Sequence, residues 1–375
     1  MCASKPFTLN YITYGSKINA ETIRQLLEHS LTNIGPGKRL PTPICIWGKH
    51  GIGKTELVRE WAQEKGFAFV YIAPAQFEEM GDLVGMPTLQ QNPEGQSVTR
   101  FAPPAWVPRQ EGPGILLLDD VNRADDRILR GIMQLLQYYE LVSWSLPAQW
   151  LIVLTANPDG GDYSVTTLDE AMLNRMLHVT MEFDAGAWAR WAERNGVDER
   201  GRNFVLAYPE LVNGRRTTPR SLVQFFQSIE QFEDFRENLP LIKLLADAFL
   251  DDSTTQAFVQ FIHQKLDRLP GPADFLGSDN FEGAVQRLER LLFDGETKRL
   301  DMLSVVVSRM INYLLENPQP LGNEQFERLA RFIQLDLLPN DLRLYMAQTL
   351  TGSKKPELAK LYSIPAIGKL LLEKM

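Results

Sequence analysis

Eight residues, GKHGIGKT at Gly48–Thr55, constrain this chain more than any other feature of it. They fit G-x-x-x-x-G-K-[ST], with a short apolar run, Ile44–Trp47, before them and helical periodicity in TELVREWAQEKG after them. The chemistry needs these residue types at this spacing. Glycines let the backbone curl so that successive N–H groups face inward, and a helix N-terminus adds partial positive charge, so the turn cradles phosphates. In that arrangement Lys54 reaches the β- and γ-phosphates of a nucleotide, and the Thr55 hydroxyl binds Mg2+. The candidate nucleotide-binding residues are Gly48, His50, Gly51, Ile52, Gly53, Lys54, Thr55 and Glu56. His50, at a variable position of the turn, reads as a solvent-facing loop residue rather than a base.

A second signal supports the first. ILLLDD (115–120) ends an apolar strand on two carboxylates, at the edge where open α/β sheets bind ligands. Asp119 is placed to hold Mg2+ through water, and Asp120 to orient or deprotonate an attacking water. Further strands are expected at 67–73, 150–157 and 178–183, and a hairpin around QNPEG with strands at 87–90 and 97–101. The five strands of 41–183 predict an α/β P-loop NTPase core with a central parallel five-stranded sheet. Residues 1–40 carry an amphipathic helix near 19–33. After Asp184 the pattern is helical, with RLPGPADFLG (268–277) reading as a linker between a helical lid, 184–267, and a helical C-terminal region, 268–375.

At roughly 150 residues per domain, 375 residues allow two to three domains. The charge narrows the partners. Thirty-nine Lys and Arg against 47 Asp and Glu leave a net charge of -8, which disfavours a protein built to grip a nucleic-acid backbone. It leaves a nucleotide open, because one lysine and a helix N-terminus suffice for that. Two cysteines, Cys2 and the apolar-embedded Cys45, give no disulfide framework. The N-terminus lacks a signal-peptide pattern, and no apolar run reaches the ~18 residues of a membrane span. A cytoplasmic protein without membrane insertion is the expectation. The histidines His29, His50, His178 and His263 are scattered, with no metal-ligand spacing.

With both motifs placed, the chain resembles the AAA+ ATPases, and within them the MoxR-like clade. The acidic pair runs on into VNRAD (121–125), similar to the clade's D-E-[IV]-N-R-A. VLTANP carries Asn157 where the family has its polar sensor 1. LDEAMLNRM (168–176) resembles the arginine-finger segment, with Arg175 in the matching position. TTPRS (217–221) looks like sensor 2, with Arg220 matching. The resemblance covers 40–225 and implies ATP and Mg2+ as cofactors, with hydrolysis as the reaction. It also implies a homo-oligomeric ring, most often a hexamer, because an arginine finger completes a neighbour's site. A protein client is implied as well, with a von Willebrand factor A domain protein as one candidate.

The chain also departs from the family. Most relatives have Asp-Glu where this chain has Asp119-Asp120, and the shorter side chain predicts slow turnover. Of the clade's two insertions, the first matches 82–106, where Phe101, Pro103 and Trp106 either touch substrate or cover the sheet. The second is nearly absent, with only LVSWSLP between helix and strand. Three function classes follow. They are an ATPase that remodels, activates or assembles a protein partner, a slowly hydrolysing nucleotide-gated regulatory protein, and a nucleic-acid-directed motor, which the charge disfavours.

Overall fold

The computed structural model describes residues 14–32, 40–158, 165–264, 266–277, 280–294, 297–316, 320–353 and 355–372; Cys2 lies outside them. The chain falls into two compact units, Met1–Phe183 and Asp184–Met375.

The first unit is a parallel sheet with helices on both faces. In chain order it runs β1 (Ser16–Ile18), α1 (Ala20–Thr32), β2 (Ile44–Trp47), α2 (Lys54–Glu64), β3 (Ala68–Ile72) and α3 (Met80–Val84). The hairpin β4 (Met86–Gln91) and β5 (Ser97–Ala102) follows, then β6 (Gly114–Leu118) and α4 (Asp126–Tyr138). A two-residue pair, β7 (Glu140–Leu141) and β8 (Trp144–Ser145), leads to β9 (Trp150–Ala156), α5 (Glu170–Leu173) and β10 (Leu177–Met181). Strand order is β1-β10-β2-β9-β6-β3.

Period-two alternation divides each central strand between two cores. Cys45 and Trp47 of β2, Leu116 and Leu118 of β6, and Ile152 and Leu154 of β9 pack with Ile128, Ile132 and Leu135 of α4. Their neighbours Ile44, Ile46, Ile115, Leu117, Leu151 and Val153 face Ile23 and Leu27 of α1 and Leu57, Val58 and Trp61 of α2. Burial on both faces explains why β2, β6 and β9 read as unbroken apolar runs.

Among the described residues the sheet has six strands, not the expected five. β1 pairs in parallel with β10, Ser16 opposite Val179 and Ile18 opposite Met181. Three residues, SKI, with two side chains exposed, carry no apolar signal, so this edge strand is invisible in the sequence. Beside it, Trp47 Nε1 donates to His178 Nδ1 (3.0 Å), which places the ring proton on Nε2, 2.8 Å from the Leu173 carbonyl it donates to. His178 thereby ties the end of β2 to the end of α5.

Among the described residues the second unit is helical apart from a two-residue strand pair, Phe293–Asp294 with Thr297–Lys298. It contains α6 (Ala185–Arg194), α7 (Glu199–Ala207), α8 (Pro219–Ile229), α9 (Leu239–Phe249), α10 (Asp252–His263), α11 (Pro272–Leu276), α12 (Phe281–Leu292) and α13 (Leu300–Glu316). Further helices follow at Asn323–Ile333, Asn340–Thr351 and Pro365–Leu372. Aromatic edge-to-face contacts dominate one part of its core, with Phe204 and Phe225 each 5.0 Å from Phe258. The stretch 268–277, expected as a linker, is packed instead. Phe275 and Leu276 of α11 are buried, and the buried Arg309 of α13 donates to the Pro270 carbonyl (3.2 Å) while pairing with Glu199. Pro and Gly mark chain direction there, not exposure.

Candidate nucleotide site

The register of the sheet brings the sequence motifs together. Trp47 pairs with Ala156 and Leu118 with Leu154, so β2, β6 and β9 end side by side. The residues after each end, Gly48, Asp119-Asp120 and Asn157, therefore share one edge.

Between β2 and α2 the turn needs its glycines. Gly51 and Gly53 have φ of +69° and +102°. A Cβ at Gly53 would meet no atom within 4 Å, so the left-handed backbone alone demands glycine there. Helix α2 starts at the next residue, with its N-terminal amides aimed back over the turn. Lys54 is buried, and its Nζ donates to Gly48 O (2.6 Å), Lys49 O (3.1 Å) and Asn157 Oδ1 (3.2 Å). The ammonium is thus held in the concavity of the turn. His50 and Glu56 are exposed, Glu56 pairing with Arg59 (3.1 Å), while Ile52 is half-buried.

Across the edge, Asp119 Oδ1 accepts from the Thr55 hydroxyl (2.6 Å) and the Thr155 hydroxyl (2.7 Å), and Oδ2 accepts from Tyr71 OH (3.1 Å). Burial, and then the Asp119 charge, push the Tyr71 phenol above its ordinary value and keep it a donor. Thr155 also accepts from the Asp120 amide (2.8 Å), so one buried hydroxyl positions both carboxylates. Asp120 sits in the left-handed region, φ 47° and ψ 46°, which Asp tolerates better than most residues. Its Oδ1 accepts from Asn157 Nδ2 (3.0 Å), and its Oδ2 lies 3.3 Å from Arg123 Nε. Lysine only donates and carboxylate only accepts, so these two neighbours fix the orientation of the Asn157 amide.

The Thr55 hydroxyl and Asp119 carboxylate are adjacent hard oxygens, the donor class Mg2+ prefers. Among the described residues no group of three or more His, Cys, Asp or Glu could hold a metal ion. The fit is therefore to a cation held by one hydroxyl, a carboxylate through water and the nucleotide's phosphates, not by a protein cage.

Arg175, just beyond α5, donates through Nε to Gln137 Oε1 at the end of α4 (3.1 Å) and through its guanidinium to the Ala171 carbonyl. Arg220 is exposed in the first turn of α8, which Thr218 caps by accepting from the Ser221 amide (3.2 Å). In the 82–106 insertion the two alternatives divide between residues. Trp106 stacks on Phe77 (6.1 Å), meets Trp144 edge-on (5.2 Å) and donates to Asp82 O (3.1 Å), so it covers the domain. Phe101, Pro103 and, above all, Leu89 stay exposed. Between α4 and β9 lies the two-residue pair β7–β8.

Sequence reasoning missed Tyr71, Thr155 and Asn122. Thr155 stands two residues before Asn157 in a strand that otherwise reads as pure core. A lone hydroxyl in such a run, near the ligand edge, was the available signal. Asn122 lay inside the VNRAD match without an assigned contact.

Residues 43–176 match a family model described as an AAA domain of the dynein-related subfamily. Among curated proteins, midasin of Giardia intestinalis is 25% identical over 156 residues, which are 40% of this chain and 3% of that protein. The chain thus spans a small fraction of midasin's length. Solved structures similar to it include two variants of Thermotoga maritima RuvB. One has 14% identity over 85% of this chain and 98% of that one, at a TM-score of 0.40. The other has 15% identity over 83% and 95%, at 0.38. The match to the AAA domain model, residues 43–176, falls on the parallel α/β scaffold described above.

Proposed function

We propose that this chain binds Mg-ATP at the 48–55 turn and hydrolyses it, and that it does so as a MoxR-like ring whose nucleotide state drives remodelling or assembly of a protein partner. The single observation that carries the reading is the continuous network Lys54–Asn157–Asp120, beside Thr55–Asp119, at one sheet edge. In the nucleotide complex Lys54 exchanges the Gly48 and Lys49 carbonyls for phosphate oxygens, a charge-assisted contact that neutral carbonyls cannot match. Thr55 and Asp119 would hold Mg2+, which would supply charge neutralisation at the phosphates. Asp120 and Asn157 orient the attacking water, chiefly by position.

Arg175, held by Gln137 and the Ala171 carbonyl, supplies the finger to a neighbour's site, which calls for a head-to-tail ring, a hexamer in most AAA+ assemblies. Arg220 reads the γ-phosphate from a helical lid, 184–267, with 268–375 as the C-terminal part of the same helical unit. A cytoplasmic protein client, with a von Willebrand factor A domain protein among the candidates, fits the acidic balance of the chain. A nucleic-acid track fits it poorly.

One observation favours the slowly hydrolysing variant of this function. Both oxygens of Asp120 are engaged, one by Asn157 and one by Arg123, on a side chain one methylene shorter than glutamate. Steady-state turnover of the wild type, Asp120→Glu and Asp120→Asn tests the assignment. Turnover that falls with Asn and holds or rises with Glu supports it. Turnover indifferent to both changes removes Asp120 from the reaction.

A further inference from the structure

Behind the two residues assigned to the attacking water lies a third side chain that touches neither phosphate nor metal in this reading. Asn122, in the 3-10 turn Val121–Arg123, is fully buried. Its Nδ2 donates to the Asn157 carbonyl (2.8 Å), and its Oδ1 accepts from the Asn157 amide (3.1 Å). Both backbone groups of one residue are thus gripped by one side chain 35 positions away. Asn157 needs such a grip, because it lies one residue past the end of β9, where ladder pairing has stopped. A dry pair of amide hydrogen bonds does for one more residue what a neighbouring strand does within the sheet.

The turn is fixed from its other side as well. The Thr166 amide donates to the Asn122 carbonyl (2.7 Å), and the Thr166 hydroxyl to the Ala124 carbonyl (3.1 Å). The Asp120 carbonyl accepts from the Arg123 amide (2.9 Å), closing the turn directly after the left-handed residue. Asn122 therefore belongs to the same rigid turn as Asp120 while holding the backbone of Asn157.

We infer that Asn122 is the positioning residue for Asn157, fixing its side-chain amide between Lys54 and Asp120. The inference rests on the ATPase reading given above. Aspartate at 122 has the same shape and keeps the acceptor, but it loses the donor to the Asn157 carbonyl and sets a negative charge against it. Misplacing an orienting amide by about 1 Å costs on the order of a hundredfold in rate. Phosphate binding through Lys54 and the 48–55 turn uses none of these contacts.

The test uses the full chain with Asn122→Ala, Asn122→Asp, Asn157→Ala and the double alanine variant. Each is checked for folding by circular dichroism and assayed for kcat, for KM and for ATP affinity with a fluorescent analogue. Both Asn122 variants are expected to lose kcat by roughly tenfold to a hundredfold, with nucleotide affinity kept within about threefold, less than the tenfold that 1.4 kcal/mol represents. The double alanine variant should turn over no more slowly than Asn157→Ala alone, because residues acting through one another are non-additive. Independent, multiplying losses, or a folded Asn122→Ala with full kcat, overturn the inference.

A wild type that binds ATP without hydrolysing it refutes the ATPase reading separately. Amide exchange then decides on Asn122. Faster exchange confined to peptides covering 154–158 in Asn122→Ala upholds the inference, and unchanged exchange there overturns it.

Discussion

Replacing Thr155 by valine isolates a hydroxyl that has no access to solvent and yet positions two carboxylates. Valine has nearly the same shape, so the change leaves no cavity and acts through hydrogen bonds alone. The Thr155 hydroxyl donates to Asp119 Oδ1 at 2.7 Å and accepts from the Asp120 amide at 2.8 Å. A hydrogen bond to a charged group contributes about 1.5–3 kcal/mol, and an unpaired buried amide costs about 1–3 kcal/mol. Asp119 keeps Thr55 and Tyr71 as donors, which limits the first loss. The expected destabilisation is about 3 kcal/mol, read as a shift of the urea midpoint at unchanged slope. Freed of Thr155, the left-handed turn at Asp120 relaxes, and hydrolysis should fall by roughly tenfold to a hundredfold. Thr155→Ser keeps both bonds and loses one methyl, so it should cost only about 1 kcal/mol and retain turnover within a few fold. The assays are urea unfolding followed by tryptophan fluorescence and single-turnover hydrolysis. A valine variant as stable and as active as the serine variant would refute the claim that this hydroxyl organises the acidic pair.

In the 82–106 insertion, Trp106→Ala should destabilise the domain by about 3 kcal/mol, because its ring packs on Phe77 and Trp144. Leu89→Ser, at a side chain 81% exposed, should shift the melting temperature negligibly; equal effects would mean the hairpin packs differently. Arg175→Ala should spare nucleotide binding and abolish turnover, and mixing it with Asp120→Asn subunits should recover part of the activity. Mixed assemblies, confirmed by mass spectrometry, that stay inactive would rule out an arginine acting between subunits.

Much of this site was legible in the sequence because its signals are local. The 48–55 turn needs glycine at positive φ and a lysine at a helix start, and both constraints fall on adjacent residues. ILLLDD announces a buried strand and its polar end in six letters. The convergence of Lys54, Asp119, Asp120 and Asn157 follows from strand order, which was not legible in the sequence and which the register of β2, β6 and β9 supplies. Contacts between side chains distant in sequence left no trace. Tyr71 to Asp119, and Asn122 to Asn157, require knowing which strand ends lie side by side. The edge strand β1 was missed because three half-exposed residues contain no periodicity, and 268–277 was misread because Pro and Gly serve buried turns as well as exposed tethers. The pair Phe275 and Leu276 was the overlooked signal there.

The account rests on Lys54 being a phosphate ligand rather than a lysine serving only the carbonyls of its own turn. Calorimetric titration of ATP, with and without Mg2+, into the wild type and Lys54→Ala tests this directly. The account predicts tighter binding with Mg2+ in the wild type, and a loss of about 3 kcal/mol, roughly a hundredfold in Kd, in a folded Lys54→Ala. ATP bound equally well by both proteins would contradict it.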